Sequence, residues 1–82
     1  MEFLNETVDM MNSENYQDRF IAEYWQTKIR YDKLDNIIVK IDAGTLDFEP
    51  KCNPDVLREQ WSAMNHYLYC LKVRAEQEGI SL

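Results

Sequence analysis

The stretch FIAEYWQTKIRYDKLDNIIVKI, residues 20–41, places Phe20, Tyr24, Thr27, Tyr31, Leu34, Ile38 and Ile41 at steps of 4, 3, 4, 3, 4 and 3. That spacing sets an apolar stripe, with one threonine in it, along one side of a long helix. Such a helix is held by whatever buries its stripe, because an isolated helix is marginal in water. Asn15 or Ser13 suits its N-cap, and Asp18 favours the positive end of its dipole. No Gly or Pro follows until Gly44, which supplies a left-handed C-terminal residue. The sequence therefore predicts a helix over 16–43, ~42 Å long at 1.5 Å per residue.

A partner follows at once. Asn53-Pro54-Asp55 is a helix start, with a capping side chain, a proline at the first helical position and an acid on the dipole. Leu57, Trp61, Met64, Leu68, Leu71 and Ala75 then repeat at 4, 3, 4, 3 and 4, and Gly79 ends a helix over 54–78. A short connection makes consecutive helices antiparallel neighbours. Folding about residue 49 sets Ile41 on Leu57, Ile38 on Trp61, Leu34 on Met64, Tyr31 on Leu68, Thr27 on Leu71 and Tyr24 on Ala75. The expected fold is all-α, an antiparallel two-helix hairpin over 16–82 with an acidic N-terminal arm over 1–15. The intrachain core is Phe20, Tyr24, Tyr31, Leu34, Ile38, Ile41, Leu57, Trp61, Met64, Leu68 and Leu71, tightest around Ile38, Trp61, Leu34 and Met64. In the connecting segment Leu46 and Phe48 are expected to plug the end of the pair.

Two helices leave much of each seam wet. Val56, Gln60, Ala63, Tyr67 and Cys70 form a second seam, rotated ~100° from the first. Trp25 and Ile29, with Ile21, add a patch on the first helix. Trp25, Ile29, Val56, Ala63, Tyr67 and Cys70 are the expected self-association or partner face. Its expected cover is a second copy of the chain, giving a homodimeric four-helix assembly, with the arm as the alternative cover. Leu4, Val8 and Met11 allow a short amphipathic turn in the arm. The arm is nonetheless expected to be loosely docked, so that removing residues 1–13 leaves the melting temperature nearly unchanged.

The net charge of −6 and pI near 4.6 disfavour direct nucleic-acid binding, which needs a basic face. The acidity is local. Five acids and no base precede Arg19, whereas residues 56–82 are balanced. Glu2, Glu6, Asp9 and Glu14 in the arm, with Asp47 and Glu49 in the loop, are therefore candidate partner-binding acids. Nothing is apolar for long enough to span a membrane, and the acidic N-terminus is unlike a secretory signal. Cys52 and Cys70 would stand ~25 Å apart along the second helix, beyond the reach of a disulfide. Reduced thiols fit the cytoplasm.

His66 and Cys70 lie four apart on one helix face, but two ligands do not make a metal site. Cys70 reads as a small buried apolar residue. There is no phosphate-binding loop, nucleophile motif or paired zinc-ligand spacing. The expectation is a non-enzyme with no catalytic residue, metal or cofactor.

The run from Tyr16 to Phe48 resembles small proteins of tailed phages and prophages of Gram-positive gut bacteria, including crAss-like phages. The resemblance rests on Tyr16, Arg19, Phe20, Glu23 and Tyr24, then Lys33-Leu34, then a Leu-, Gln-, Met- and Tyr-rich helix ending in Arg74 to Gly79. It covers about 16–80. It implies a helical hairpin of phage origin, an accessory protein rather than a virion part, in the cytoplasm of the bacterial host.

Size, acidity and this resemblance point first to a counter-defence protein that binds one bacterial host protein stoichiometrically, such as an anti-CRISPR or other anti-immune inhibitor. An alternative is a sponge for a signalling nucleotide. There Arg19, Lys28, Arg30 and Lys33 would supply charge, and Tyr24, Trp25 and Tyr31 would supply stacking. A structural or assembly adaptor is the third reading.

Overall fold

A computed structural model describes residues 1–82. A 3-10 turn at Leu4–Thr7 runs into a single turn of helix, α1 (Val8–Met11). Two long helices follow, α2 (Tyr16–Ala43) and α3 (Pro54–Glu78), and there are no strands.

Local chemistry sets the helix ends. Asn15 caps α2, its side-chain oxygen accepting from the Gln17 amide at 2.8 Å, while Ser13 bonds Asp18 at 2.8 Å. Gly44 closes α2 at φ 73°, and the Thr45 amide returns to the Lys40 carbonyl at 2.9 Å. Asn53 caps α3 through the Asp55 amide, with Pro54 in the first turn. Gly79 closes α3 at φ 71°, and the Ile80 amide reaches the Ala75 carbonyl at 2.9 Å. A side chain other than hydrogen at either glycine would meet backbone strain at this φ, not crowding.

Side-chain bonds between the long helices show that they run antiparallel. Arg58 pairs with Asp42 beside the loop, and Trp61 Nε1 donates to Asp35 at 2.9 Å. Tyr67 donates to Glu23 further along, and Tyr16 donates to Glu78 at 2.7 Å at the open end. The register departs from simple seam matching. Trp61 stacks on Tyr31, with centroids 6.5 Å apart and planes 9° apart, where seam matching set it on Ile38.

The core is uneven. Phe20, Tyr24, Leu68, Leu71, Ala75 and Ile80 form one buried cluster at the open end. Ile38 and Leu34 are buried, but Tyr31, Ile41, Leu57, Trp61 and Met64 are half-buried. The tightest packing therefore lies away from the expected Ile38–Trp61–Leu34–Met64 quartet. The reason is the turn after Gly79. It folds Ile80 back onto Ala75, a contact that closes the open end, whereas the loop end has no third layer. Leu46 is half-buried and Phe48 stays 55% exposed, so only one of the two loop side chains approaches the helices. Leu34→Ala is expected to cost about 2–3 kcal/mol, since its half-covered neighbours can settle into the space. Urea denaturation measures this; half a kcal/mol or less would place Leu34 outside the core.

The arm is an ordered layer, not a loosely docked extension. Thr7 is fully buried, and its hydroxyl donates to the Leu4 carbonyl at 2.7 Å. Both arm elements pack on α2, where Ala22 is fully buried and Ile29 is 7% exposed. The apolar content of Leu4, Val8 and Met11 was visible, but not that α2 offers a second flat side for it. The molecule thus has three layers, arm, α2 and α3, and only α2 is covered on two sides.

Candidate ligand groove

Beside the Tyr31–Trp61 stack, α2 and α3 leave a groove of about 480 Å³. Helix α2 contributes Lys28 and Tyr31. Helix α3 contributes Ser62, Asn65, His66, Leu68, Tyr69 and Lys72. The α3 residues lie on one stripe because steps of three and four keep a helix face together. Leu68, 4% exposed, is an apolar floor. Two aromatic faces rise from it. Tyr31 is backed by Trp61, and Tyr69 is 63% exposed beside His66, their rings 6.5 Å apart and 21° from parallel.

The electrostatics run against the rest of the chain. No carboxylate lines the groove, although the protein carries −6 overall. Lys72 makes no ion pair. Lys28 Nζ sits 2.6 Å from Asp32 Oδ1 and 6.0 Å from the Tyr31 ring centroid. The hydrogen bond to Asp32 raises the Lys28 pKa above its usual value, against a smaller opposing effect of burial. The ammonium is thus charged at neutral pH. A pair exposed this far contributes little, so an incoming anion can share or replace Asp32 at small cost. The groove offers two cations, two stacking faces and the hydrogen-bonding side chains of Ser62, Asn65 and His66. This set suits an anion with a flat aromatic part.

Of the residues proposed for nucleotide binding, only Lys28 and Tyr31 line this groove. Arg19 donates to the Ser13 carbonyl at 2.8 Å, Arg30 is exposed elsewhere, and Tyr24 is core. Lys33 and Trp25 line a separate cleft of about 390 Å³ under the arm, together with Met1, Glu2, Ile29, Asp32 and Asn36. Trp25 and Ile29 are therefore covered by the arm and drop out of the self-association face. Val56, Ala63, Tyr67 and Cys70 remain exposed. Cys70 was expected to be buried, but α3 is covered only along its seam and Cys70 lies away from it. Its sulfur is 3.9 Å from His66 Nε2, with no third ligand to complete a metal site. Both thiols are free.

Among the acids, Glu6 caps its own turn by accepting from the amides of Phe3 and Glu2. Glu2, Asp9, Glu14, Asp47 and Glu49 are exposed and make no side-chain hydrogen bond or ion pair within the chain. Sequence reading missed Ser62, Asn65, Tyr69 and Lys72. Their signal was there, a polar stripe at helical spacing with no acid in it, but it looks like any solvated face until α2 is set beside it.

A family model described as Sequestin matches residues 14–77. The chain belongs to the Sequestin family. The match contains every groove residue, all of α2 and α3 as far as Gln77, and leaves out residues 1–13 and Ile80. No curated protein and no solved structure matches this Sequestin chain. No helix in it is long and apolar enough to cross a membrane.

Proposed function

We propose that this Sequestin protein captures a small anionic ligand of the nucleotide class and holds it stoichiometrically without converting it. The observation that carries the reading is a groove lined by Lys28, Lys72, Tyr31 and Tyr69 and by no acid, with Asp32 behind Lys28, in a chain of net charge −6. Phosphate oxygens would lie against the two lysines and the base against a tyrosine ring. The family's name, which denotes sequestration, supports the same reading. Removing a signalling nucleotide from its receptor is also a counter-defence act. It fits the resemblance to phage accessory proteins and a place in the cytoplasm of the bacterial host. The role needs no catalytic group and no cofactor.

A second reading keeps the stoichiometric inhibitor of a host protein. Val39, Phe48 and Val56, each more than half exposed near the loop end, favour it, since scattered apolar side chains there can anchor a protein partner.

Isothermal titration with a panel of cyclic and linear purine nucleotides separates the two. The expected result is saturable binding to one nucleotide class, with the ligand recovered chemically unchanged after the protein is denatured. Lys72→Gln is expected to weaken that binding roughly 10–100-fold, the equivalent of one lost charge-assisted hydrogen bond. Failure of every nucleotide to bind, together with co-purification of one host protein, would reject the sponge in favour of the inhibitor.

A further inference from the structure

We infer, resting on the nucleotide reading of the groove, that Trp61 is a positioning residue for it. Trp61 fixes the Tyr31 ring as the face on which the base stacks and leaves Tyr69 as the lesser contact.

Trp61 reaches from α3 to two successive turns of α2. Its indole stacks on Tyr31, and its Nε1 donates to Asp35 Oδ1 at 2.9 Å. Tyr31 and Asp35 are four residues apart, so they share one side of α2. The hydrogen bond fixes the rotation of the indole, and the indole limits that of the phenol. Asp35 makes no ion pair, so its carboxylate is free to accept this bond. Trp61 itself is half-buried and stands outside the groove walls, whereas Tyr31 is part of them.

Tyr69 has no such support. It is largely exposed, and its one aromatic neighbour, His66, is exposed on the same helix. A ring that is already held gives up less freedom when a base stacks on it, so it binds the base more tightly. Lys28 favours the same ring. Its ammonium is 6.0 Å from the Tyr31 centroid, so a phosphate on Lys28 and a base on Tyr31 can belong to one nucleotide. A purine covers more of a fixed ring than a pyrimidine does, so losing the fixed face falls harder on the purine.

Isothermal titration of Trp61→Leu tests this. The probes are the purine nucleotide bound most tightly in the panel above and the pyrimidine nucleotide with the same phosphate arrangement. Purine affinity is expected to fall about 10-fold, within the range of one base–aromatic stack, and pyrimidine affinity by about 3-fold or less. A general loosening of the groove would weaken both alike. Asp35→Ala keeps the indole but removes its acceptor, and is expected to lower purine affinity in the same sense. Asp35→Asn keeps an accepting oxygen and is expected to restore it. This pair carries the test should Trp61→Leu lose its helical circular dichroism. Tyr31→Leu is expected to cost more purine affinity than Tyr69→Leu. Unchanged purine affinity in Trp61→Leu or Asp35→Ala, equal losses for the two probes, an Asp35→Asn no better than Asp35→Ala, or a greater loss with Tyr69→Leu would each overturn the assignment. A wild type that binds no nucleotide would instead refute the reading of the groove, and the assignment with it.

Discussion

Phe20→Ala is expected to remove about 3–5 kcal/mol of folding free energy, a large part of the total for a chain of this size. Domains of this size hold only about 0.05–0.15 kcal/mol per residue in total. Phe20 is 2% exposed and belongs to the one contiguous buried cluster, with Tyr24, Leu68, Leu71, Ala75 and Ile80. Its ring also lies under the Arg74 guanidinium, 4.9 Å from the centroid, and 6.1 Å from the Tyr16 ring. Removing it opens a cavity that cannot collapse easily. The Arg74–Tyr16–Glu78 bonds fix the outer rim, and Gly79 fixes the turn that brings Ile80 inward. Urea denaturation followed by circular dichroism measures the loss. A loss under about 1 kcal/mol would show that the open end is not the centre of the core.

Deleting residues 1–12 is expected to cost about 3–5 kcal/mol and lower the melting temperature by more than about 10 °C, at about 4–8 °C per kcal/mol for a domain of this size. The truncation keeps Ser13, and with it the bonds to Asp18 and the Asn15 amide. It uncovers Ala22 and Ile29 and the covered part of Trp25, and removes Thr7 and the half-buried Leu4 and Met10. Each large apolar side chain returned to water forfeits about 1.5–3 kcal/mol, and the entropy regained by the freed arm offsets part of the sum. Both long helices keep their own caps at Asn15, Gly44, Asn53 and Gly79, so helical circular dichroism is expected to persist at low temperature. Differential scanning calorimetry of both chains decides the point. An unchanged transition would return the arm to the role of a loose extension. Glu2, Glu6, Asp9 and Glu14 of the arm would then be free for a partner.

The two long helices were legible along the chain because their causes are local. Asn15 and Asn53 cap through bonds that reach two residues, Pro54 fits a first turn, and Gly44 and Gly79 adopt the one conformation that ends a helix cheaply. The seams of Phe20 to Ile41 and of Leu57 to Ala75 are equally local, since periodicity alone places residues on one face. Three things depended on distant parts of the chain. The arm was ambiguous because its burial requires α2 to have a second apolar side, at Ala22, Trp25 and Ile29, free of α3. The register depended on Trp61 choosing Tyr31 and Asp35 as neighbours, which spacing cannot fix when nearly every seam position is apolar. The groove depended on both. Lys28 and Tyr31 are 41 residues or more from Tyr69 and Lys72, save for the 38 between Tyr31 and Tyr69, and a polar stripe on α3 becomes a ligand wall only when α2 is rotated to present a lysine and a ring to it. Local bonds fix where a helix begins and ends, whereas the relative rotation of two helices is set by long-range packing, and here that rotation brings the groove together.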